Sequence, residues 1–114
     1  MLRAYIDLTV DTFLTLNPDE IMGRLSSAHP FDLEMNQRYA WQYQIQHLQK
    51  ELNNFIEGRL FFEFSIPRMG KRADVILLVQ NIIFILEYKV GSGQPDRSGL
   101  DQVHDYALDL KIFI

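Results

Sequence analysis

The sequence predicts an α/β domain in which helices pack on a sheet of consecutive antiparallel strands. Apolar residues recur at intervals of three and four between positions 41 and 55, which is the period of an amphipathic helix. They are Trp41, Ile45, Leu48, Leu52 and Phe55. Farther along, two apolar runs at residues 74–79 and 82–90 are separated by two polar residues. Such runs, rich in β-branched residues, are typical of a tight hairpin.

The first half of the chain is expected to be mainly helical. The opening segment to about residue 16 has mixed periodicity and fits either a helix or a strand. Asn17 and Pro18 then begin a short helix, because Asn is a favoured cap and Pro suits the first helical position. The long helix covers about residues 33–55. One of its faces is polar, so we expect it to pack its other side on the sheet.

The second half is expected to be a three-stranded meander followed by a helix. The first strand covers residues 60–66 and leads through a loop into the hairpin. Ser98 and Asp101 have the spacing of a capping box, which begins the last helix. Its apolar side holds Val103, Tyr106, Ala107 and Leu110, and its solvated side holds Asp101, Asp105 and Asp109.

The composition is that of one globular domain spanning residues 1–114, with 47% hydrophobic and 23% charged residues. Cysteine is absent, which removes disulfides and thiolate metal sites, and the expected location is the cytoplasm. Asp7 and Asp11 interrupt the first apolar stretch, so we expect neither a secretory signal nor a membrane span. The net charge of −4 argues against holding nucleic acid by bulk electrostatics, so any such contact is local.

The hairpin is expected to bring two carboxylates together. A turn on Gln80 and Asn81 puts Asp74 directly opposite Glu87, with Cβ atoms about 4.5–5.5 Å apart. Lys89 follows on the same face, because strand side chains repeat every second residue. Two carboxylates at this separation can share a hard divalent cation, Mg²⁺ or Mn²⁺. The alternative is that all three are ordinary polar residues at strand ends.

Residues 72–89 resemble the PD-(D/E)xK motif of the restriction-endonuclease-like nuclease superfamily, with twelve residues between Asp74 and Glu87. Ala73 stands where the motif has Pro. Gln102 and Tyr106 resemble the Q-x3-Y motif of the RecB-like branch, although a surface glutamine and a core tyrosine would give the same pattern. The resemblance implies a core of helix, three-stranded meander, second helix and last strand. That last strand is expected to be missing, which suggests a fragment or a strand borrowed from a partner.

The resemblance also implies roles for individual residues. Asp74 and Glu87 would hold the metal, and Lys89 would position or help deprotonate a water. Gln102 and Tyr106 would orient the substrate or Lys89. The basic cluster before the hairpin would contact phosphates, although a solvated turn would look the same. It consists of Arg68, Lys71 and Arg72.

A closer resemblance covers nearly the whole chain. It is carried by the opening helical segment and by residues 66–78, 82–91 and 101–111. The chain is similar to the N-terminal region of a bacterial P-loop ATPase family related to the Schlafen group 3 helicase domain. The motif G-x-x-x-x-G-K-S/T does not occur, so the chain has no motor of its own. The implied partners are nucleic acid, with DNA favoured, and either a C-terminal ATPase/helicase domain or subunit or a second copy of the chain.

The expected function is metal-dependent hydrolysis of phosphodiester bonds in DNA. One alternative is a catalytically inactive module of the same fold that binds nucleic acid or docks a helicase-type motor. Another is a structural oligomer joined by strand exchange. Three further polar residues are expected to have no part in the chemistry. Glu63 is placed at the surface or edge of the sheet, and Gln44 on the solvated face of the long helix. His47 is not expected to bind a metal, because no other candidate ligand lies at a suitable spacing from it.

Overall fold

A computed structural model describes residues 3–29, 34–55, 57–66, 70–90 and 106–113 of the chain. Within these ranges the protein has three helices and one five-stranded sheet. The elements are β1 (Ile6–Thr9), α1 (Val10–Thr15), α2 (Pro18–Ala28), α3 (Met35–Glu51), β2 (Arg59–Ile66), β3 (Lys71–Val79), β4 (Ile82–Val90) and β5 (Tyr106–Phe113). Neighbouring strands are antiparallel and lie in the order β1-β2-β3-β4-β5. The α/β class and the antiparallel meander are confirmed.

The helices begin at positions that the sequence largely predicts. The opening segment contains both structures with which it is compatible, because β1 continues directly into α1. Asn17 caps α2 by accepting a hydrogen bond of 2.8 Å from the Asp19 N–H. The long helix α3 is shorter than predicted, and Phe55 lies beyond its end in an exposed position. Among the helices of the described ranges, none is long and apolar enough to cross a membrane.

The hydrophobic core lies between the helices and one side of the sheet. Its helical members are Val10, Phe13, Ile21, Leu25, Trp41, Ile45 and Leu48, and its strand members are Ile6, Leu60, Phe62, Val75, Leu77 and Leu86. Three of the five residues in the predicted stripe of α3 are therefore buried in this core. Removal of these side chains from water is the main force that holds α3 against the sheet.

The other side of the sheet is also apolar. A shallow groove on it is lined by Phe61, Phe64, Ile66, Ile76, Leu78, Ile83 and Ile85. In β3 and β4 these residues alternate with core residues, as expected for strands with one side chain on each face in turn. The alternation defines which residues of β3 and β4 lie under the helices and which lie on the far side.

The β3–β4 hairpin has the predicted register. The paired residues run from Val79 opposite Ile82 to Val75 opposite Leu86. Gln80 adopts a φ of 52°, as tight hairpin turns require positive φ in the loop. The same register continued by one residue places Asp74 opposite Glu87, which are the next positions on the two strands.

The last predicted helix is wrong for residues 106–113, which form β5. This strand pairs with β4 from Ile83 opposite Phe113 to Val90 opposite Tyr106. The segment alternates apolar Leu108 and Leu110 with charged neighbours, and this period of two suits a strand better than a helix. Pairing also satisfies backbone groups along the edge of β4. A strand thus follows the meander where the sequence indicated a helix and no further strand; residues 98–105 lie outside the described ranges.

Candidate functional site

Asp74 is anchored to the strand that carries Glu87. The described β3–β4 pairing ends at Val75 and Leu86, immediately before the two acids. There Asp74 Oδ2 accepts a hydrogen bond of 2.8 Å from the Tyr88 backbone N–H. Burial raises the pKa of Asp74, the Tyr88 N–H lowers it, and the nearby Glu87 raises it again. The Glu87 carboxylate is therefore close enough to Asp74 to raise the pKa of that group in the folded protein.

Glu63 extends this pair to a row of three acids across β2, β3 and β4. The register pairs Phe62 with Val75 and Phe64 with Ala73, so Glu63 falls opposite Asp74. The pKa of Glu63 is raised to about 7, first by burial, then by the Asp74 charge and least by Glu87. The Arg72 charge and a hydrogen bond from Trp41 lower it in part. The assignment of Glu63 to edge polarity is wrong, because β1 covers the outer side of β2 and the residue is half-buried.

An unusual backbone conformation sets the direction of Glu63. Its φ is 52°, a left-handed conformation that costs a residue other than glycine about 1–3 kcal/mol. Phe61 and Phe64 on either side of it both line the groove on the far side of the sheet, with ring centroids 5.6 Å apart. Residues three apart share a face only if the strand alternation is interrupted. The interruption lies at Glu63 and brings its carboxyl group within reach of Trp41 on α3.

The side of α3 that faces the sheet carries two buried polar groups. Trp41 is 0% exposed and Gln44 is 3% exposed. The Gln44 Oε1 atom has no hydrogen-bond partner among the described residues. The Trp41 Nε1 atom has none of normal geometry, but its N–H is close enough to Glu63 to act as a donor that lowers the pKa of that carboxyl group. The expectation that Gln44 lies on the solvated face is wrong, because α3 places it one turn from both Trp41 and the core residue Leu48. A buried polar atom without a hydrogen-bond partner lowers the stability of the fold by about 1–3 kcal/mol.

Lys89 lies at the outer end of the site. Its side chain is 68% exposed, and its Nζ is 3.7 Å from Asp109 Oδ2 on β5. Asp109 is directly opposite Glu87 in the β4–β5 register, so it adds a fourth acid to the row. Its assignment to the solvated side of a helix is wrong, because the segment is a strand.

Tyr88 joins α3 to the strand between Glu87 and Lys89. Its hydroxyl group is hydrogen bonded to His47 Nδ1 at 2.9 Å. The Tyr43 ring stacks on the His47 ring with centroids 5.6 Å apart and planes 8° from parallel. Burial raises the pKa of Tyr88, and Tyr43 and Asp74 raise it further. No local sequence pattern predicts this contact, because it joins residues 41 positions apart.

The remaining predicted residues are only partly brought to this site. Arg72 donates a hydrogen bond of 3.1 Å to the Glu63 carbonyl oxygen and lies over the Tyr5 ring, 4.6 Å from its centroid. Lys71 is exposed at the start of β3. Tyr106 begins β5 rather than lying within a helix, so the idea that Gln102 and Tyr106 share one side of a helix is wrong for Tyr106. Arg68 and Gln102 lie outside the described residues.

The donor groups of the site suit a hard, hydrated cation. Carboxylate oxygens are the protein ligands that Mg²⁺ prefers, and this ion usually keeps several waters and binds one or two carboxylates. In the part of the chain that the structure describes, no group of three or more acidic or histidine side chains is arranged to hold a metal ion. Asp74 and Glu87 therefore fit a cation only if water or substrate oxygens complete its coordination.

Comparisons with known proteins give no independent guide to the chemistry of this site. No protein-family model, no curated protein and no solved structure matches the chain.

Proposed function

We propose that this chain is a metal-dependent nuclease with a restriction-endonuclease-like core, which hydrolyses phosphodiester bonds of DNA with Mg²⁺ or Mn²⁺. The observation that carries the proposal is the position of Asp74. Its carboxylate is half-buried, anchored by the Tyr88 N–H and electrostatically coupled to Glu87. Two acids kept close together at an energetic cost, with a lysine two residues farther along the strand, are the arrangement that the PD-(D/E)xK resemblance requires.

The residues of the site would divide the work between them. Asp74 and Glu87 would bind the cation, which supplies a polarised water and neutralises developing negative charge. Lys89 would position that water or help to remove its proton. To do so it must leave Asp109, which costs little because exposed ion pairs are worth about 0–1 kcal/mol. Arg68, Lys71 and Arg72 would contact the phosphate backbone, and Gln102 would orient the substrate or Lys89.

The net charge of −4 shapes the proposed partners. A protein of this charge gains little nonspecific affinity from the phosphate backbone. We therefore place most of the DNA-binding surface on a C-terminal ATPase/helicase domain or subunit, as the closer sequence resemblance implies. The chain itself would supply the cleavage site and a few phosphate contacts.

The proposal is tested by cleavage of single- and double-stranded DNA with Mg²⁺, with Mn²⁺ and with a chelator. We expect activity only with a divalent cation, abolished in Asp74→Asn and Glu87→Gln and reduced about 10²–10⁴-fold in Lys89→Ala, the usual contribution of a proton-transfer group. Glu57→Gln is the matched control, because Glu57 is exposed and lies outside β2. Equal, cation-independent cleavage by all variants would indicate a contaminant and contradict the assignment.

One observation favours a second candidate, a catalytically inactive module of the same fold. Lys89 is paired with Asp109 rather than directed at the two acids, and a protein that only binds nucleic acid or docks a motor would keep that pair. This candidate predicts DNA or motor binding without cleavage under any cation.

A further inference from the structure

The strand β5 has one edge that no described strand covers. β4 pairs with it on one side, and β5 is the last strand in the order of the described sheet. The edge of a sheet presents a row of backbone N–H and C=O groups that can pair with another strand. The opposite edge is β1, which has four residues, whereas β5 has eight. β5 is therefore the longer open edge of the described sheet.

The side chains of β5 are apolar where the strand is exposed. Four of the eight exposed large hydrophobic residues in the described ranges lie on it, each between 42% and 54% exposed. They are Leu108, Leu110, Ile112 and Phe113. The first three recur every second residue, and we call them the apolar row. Single exposed apolar residues are ordinary, but a contiguous set of them marks an interaction surface.

The two faces of β5 differ in chemistry. Leu110 lies opposite the core residue Leu86, so the apolar row is on the side of the sheet that carries the helices. Asp109 and Lys111 alternate with the apolar row and are therefore on the far side. Lys111 accordingly lies opposite Ile85, which lines the groove on that side. β5 thus presents an apolar row on one face and one acid and one base on the other.

We propose that β5 pairs antiparallel with β5 of a second copy of this chain, about a two-fold axis that passes through Leu110. In this register Asp109 of each copy lies opposite Lys111 of the other. Leu108 lies opposite Ile112, and Leu110 lies opposite its own counterpart. Each charge therefore meets its opposite, and each member of the apolar row meets another member. A two-fold interface uses the same patch on both copies, as this pairing does.

The charges of β5 disfavour the neighbouring registers. An axis through Asp109 would place two aspartates opposite each other, and an axis through Lys111 would place two lysines opposite each other. Like charges directly opposite in a sheet are destabilising. An axis between two residues would place charged side chains opposite apolar ones. Charges on an edge strand often prevent pairing, but one acid and one base placed evenly about Leu110 favour a single symmetric pairing.

The second copy would bring a cation to the outer end of the acidic row. Asp109 lies directly opposite Glu87 on β4, and its ion-pair partner Lys89 is diagonal to it in the register. The Cβ atoms of diagonal neighbours are about 7–8 Å apart, against about 4.5–5.5 Å for directly opposite residues. Lys111 of the second copy would therefore compete with Lys89 for Asp109. The interface thus reaches the candidate site, but it does not depend on the proposed nuclease function.

Sedimentation velocity of the full chain over a wide range of concentrations tests the pairing. We expect a monomer–dimer equilibrium in the wild type. Asp109→Lys places lysine opposite lysine twice in the dimer, and Lys111→Asp places aspartate opposite aspartate twice. Each variant should therefore weaken dimerisation about 10–100-fold. Glu57→Lys makes the same change of charge as Asp109→Lys on an exposed residue outside the strands, and it should dimerise as the wild type does.

An equimolar mixture of the two β5 variants tests the register itself. In a mixed dimer, the lysine introduced at position 109 lies opposite the aspartate introduced at position 111. The native Lys111 of one chain also lies opposite the native Asp109 of the other. The mixture should therefore dimerise with about the wild-type affinity, although neither variant does so alone. Because rescue requires two folded chains, it separates a lost interface from unfolding.

Several outcomes would overturn the pairing. A wild type that stays monomeric at every concentration would do so, and would leave this edge to another segment of the chain or to a different protein. A wild-type dimer whose β5 variants behave as Glu57→Lys does would place the contact elsewhere on the molecule. A mixture that stays monomeric, although circular dichroism shows both variants folded, would contradict the register through Leu110. Growth beyond a dimer would contradict a closed two-fold interface.

Discussion

The Tyr88 backbone N–H donates a hydrogen bond of 2.8 Å to the Asp74 carboxylate. The residue between Glu87 and Lys89 therefore fixes the aspartate on the neighbouring strand. The Tyr88 side chain reaches the opposite way, to His47 on α3. One residue thus links the acidic row, the strand with the lysine and the long helix, so the spacing of the site depends on how α3 packs.

The acidic pair is expected to reduce the stability of the cation-free protein. Asp74→Asn keeps an oxygen that can accept from the Tyr88 N–H but removes the repulsion with Glu87. We expect its free energy of unfolding to exceed that of the wild type by about 0.2–1 kcal/mol in chelator, the usual range for cross-strand pairs. Urea unfolding with excess chelator measures this. Asp74→Ala, which loses the hydrogen bond as well, is the contrasting variant, and a less stable Asp74→Asn would contradict the argument.

Stability should change with pH in an unusual direction. The pKa of Glu63 is about 7 in the folded protein, against an ordinary value of 4.5, so between these values the folded state binds more protons than the unfolded state. Stability contributed by Glu63 is then present below pH 4.5 and is lost as the pH rises through about 7. The raised pKa of Asp74 acts in the same direction.

The measurement for this prediction is the melting temperature of the wild type and of Glu63→Gln between about pH 5 and pH 8 in chelator. The difference between the two proteins removes the contribution of other carboxyl groups. We expect wild-type stability, relative to Glu63→Gln, to fall as the pH rises. Parallel profiles would show that Glu63 titrates in its ordinary range.

The link between Tyr88 and His47 should contribute to stability as an ordinary buried hydrogen bond. Tyr88→Phe removes it but keeps the ring that packs against Tyr43 and His47. We expect a loss of about 0.5–1.5 kcal/mol in the free energy of unfolding. Tyr5→Phe is the control, because the Tyr5 hydroxyl lies 3.4 Å from His29 Nδ1, a longer and weaker contact. An equal loss in both variants would show that the Tyr88–His47 hydrogen bond contributes no more to stability than the longer Tyr5–His29 contact.

Gly58, just before β2, should tolerate no side chain. Its φ is 110°, and an added Cβ would lie 3.0 Å from the Leu78 carbonyl oxygen and 3.0 Å from Val79 Cγ2. Gly70 also has a positive φ, 63°, but open space around it. Gly58→Ala should therefore be less stable than Gly70→Ala by about 1–3 kcal/mol, the usual cost of overpacking. Denaturant unfolding of both variants measures the difference. Equal stabilities would show that Leu78 and Val79 at the end of β3 can move enough to accommodate the added methyl group.

The hairpin and the α3 stripe could be predicted because local physics specifies them. Two β-branched runs around Gln80 and Asn81 admit few registers, since a slip by one residue would move every apolar side chain to the other face. That register brought Asp74 and Glu87 together from sequence alone. The stripe of α3 likewise follows from a period of three to four residues. Both features depend on residues within about twenty positions of each other.

The other parts of the site depend on contacts that no local pattern encodes. The burial of Gln44 follows from the side that α3 turns toward the core, where Trp41 and Leu48 are also buried. The direction of Glu63 follows from a backbone conformation that only the surrounding pairing can enforce. The last element was predicted to be a helix from the spacing of Val103, Tyr106, Ala107 and Leu110. Residues 108–111 also alternate with a period of two, and pairing with β4 makes this segment a strand.

The sequence by itself therefore determined the α/β class, the hairpin register and the position of one acidic pair. These features follow from side-chain periodicity and turn residues, which act over short distances along the chain. Only the tertiary structure decided which polar groups lie under α3, how far the acidic row extends and what Lys89 contacts. Each of these depends on the packing of elements distant in sequence, where burial and the electrostatic influence of neighbours set the chemistry of a side chain.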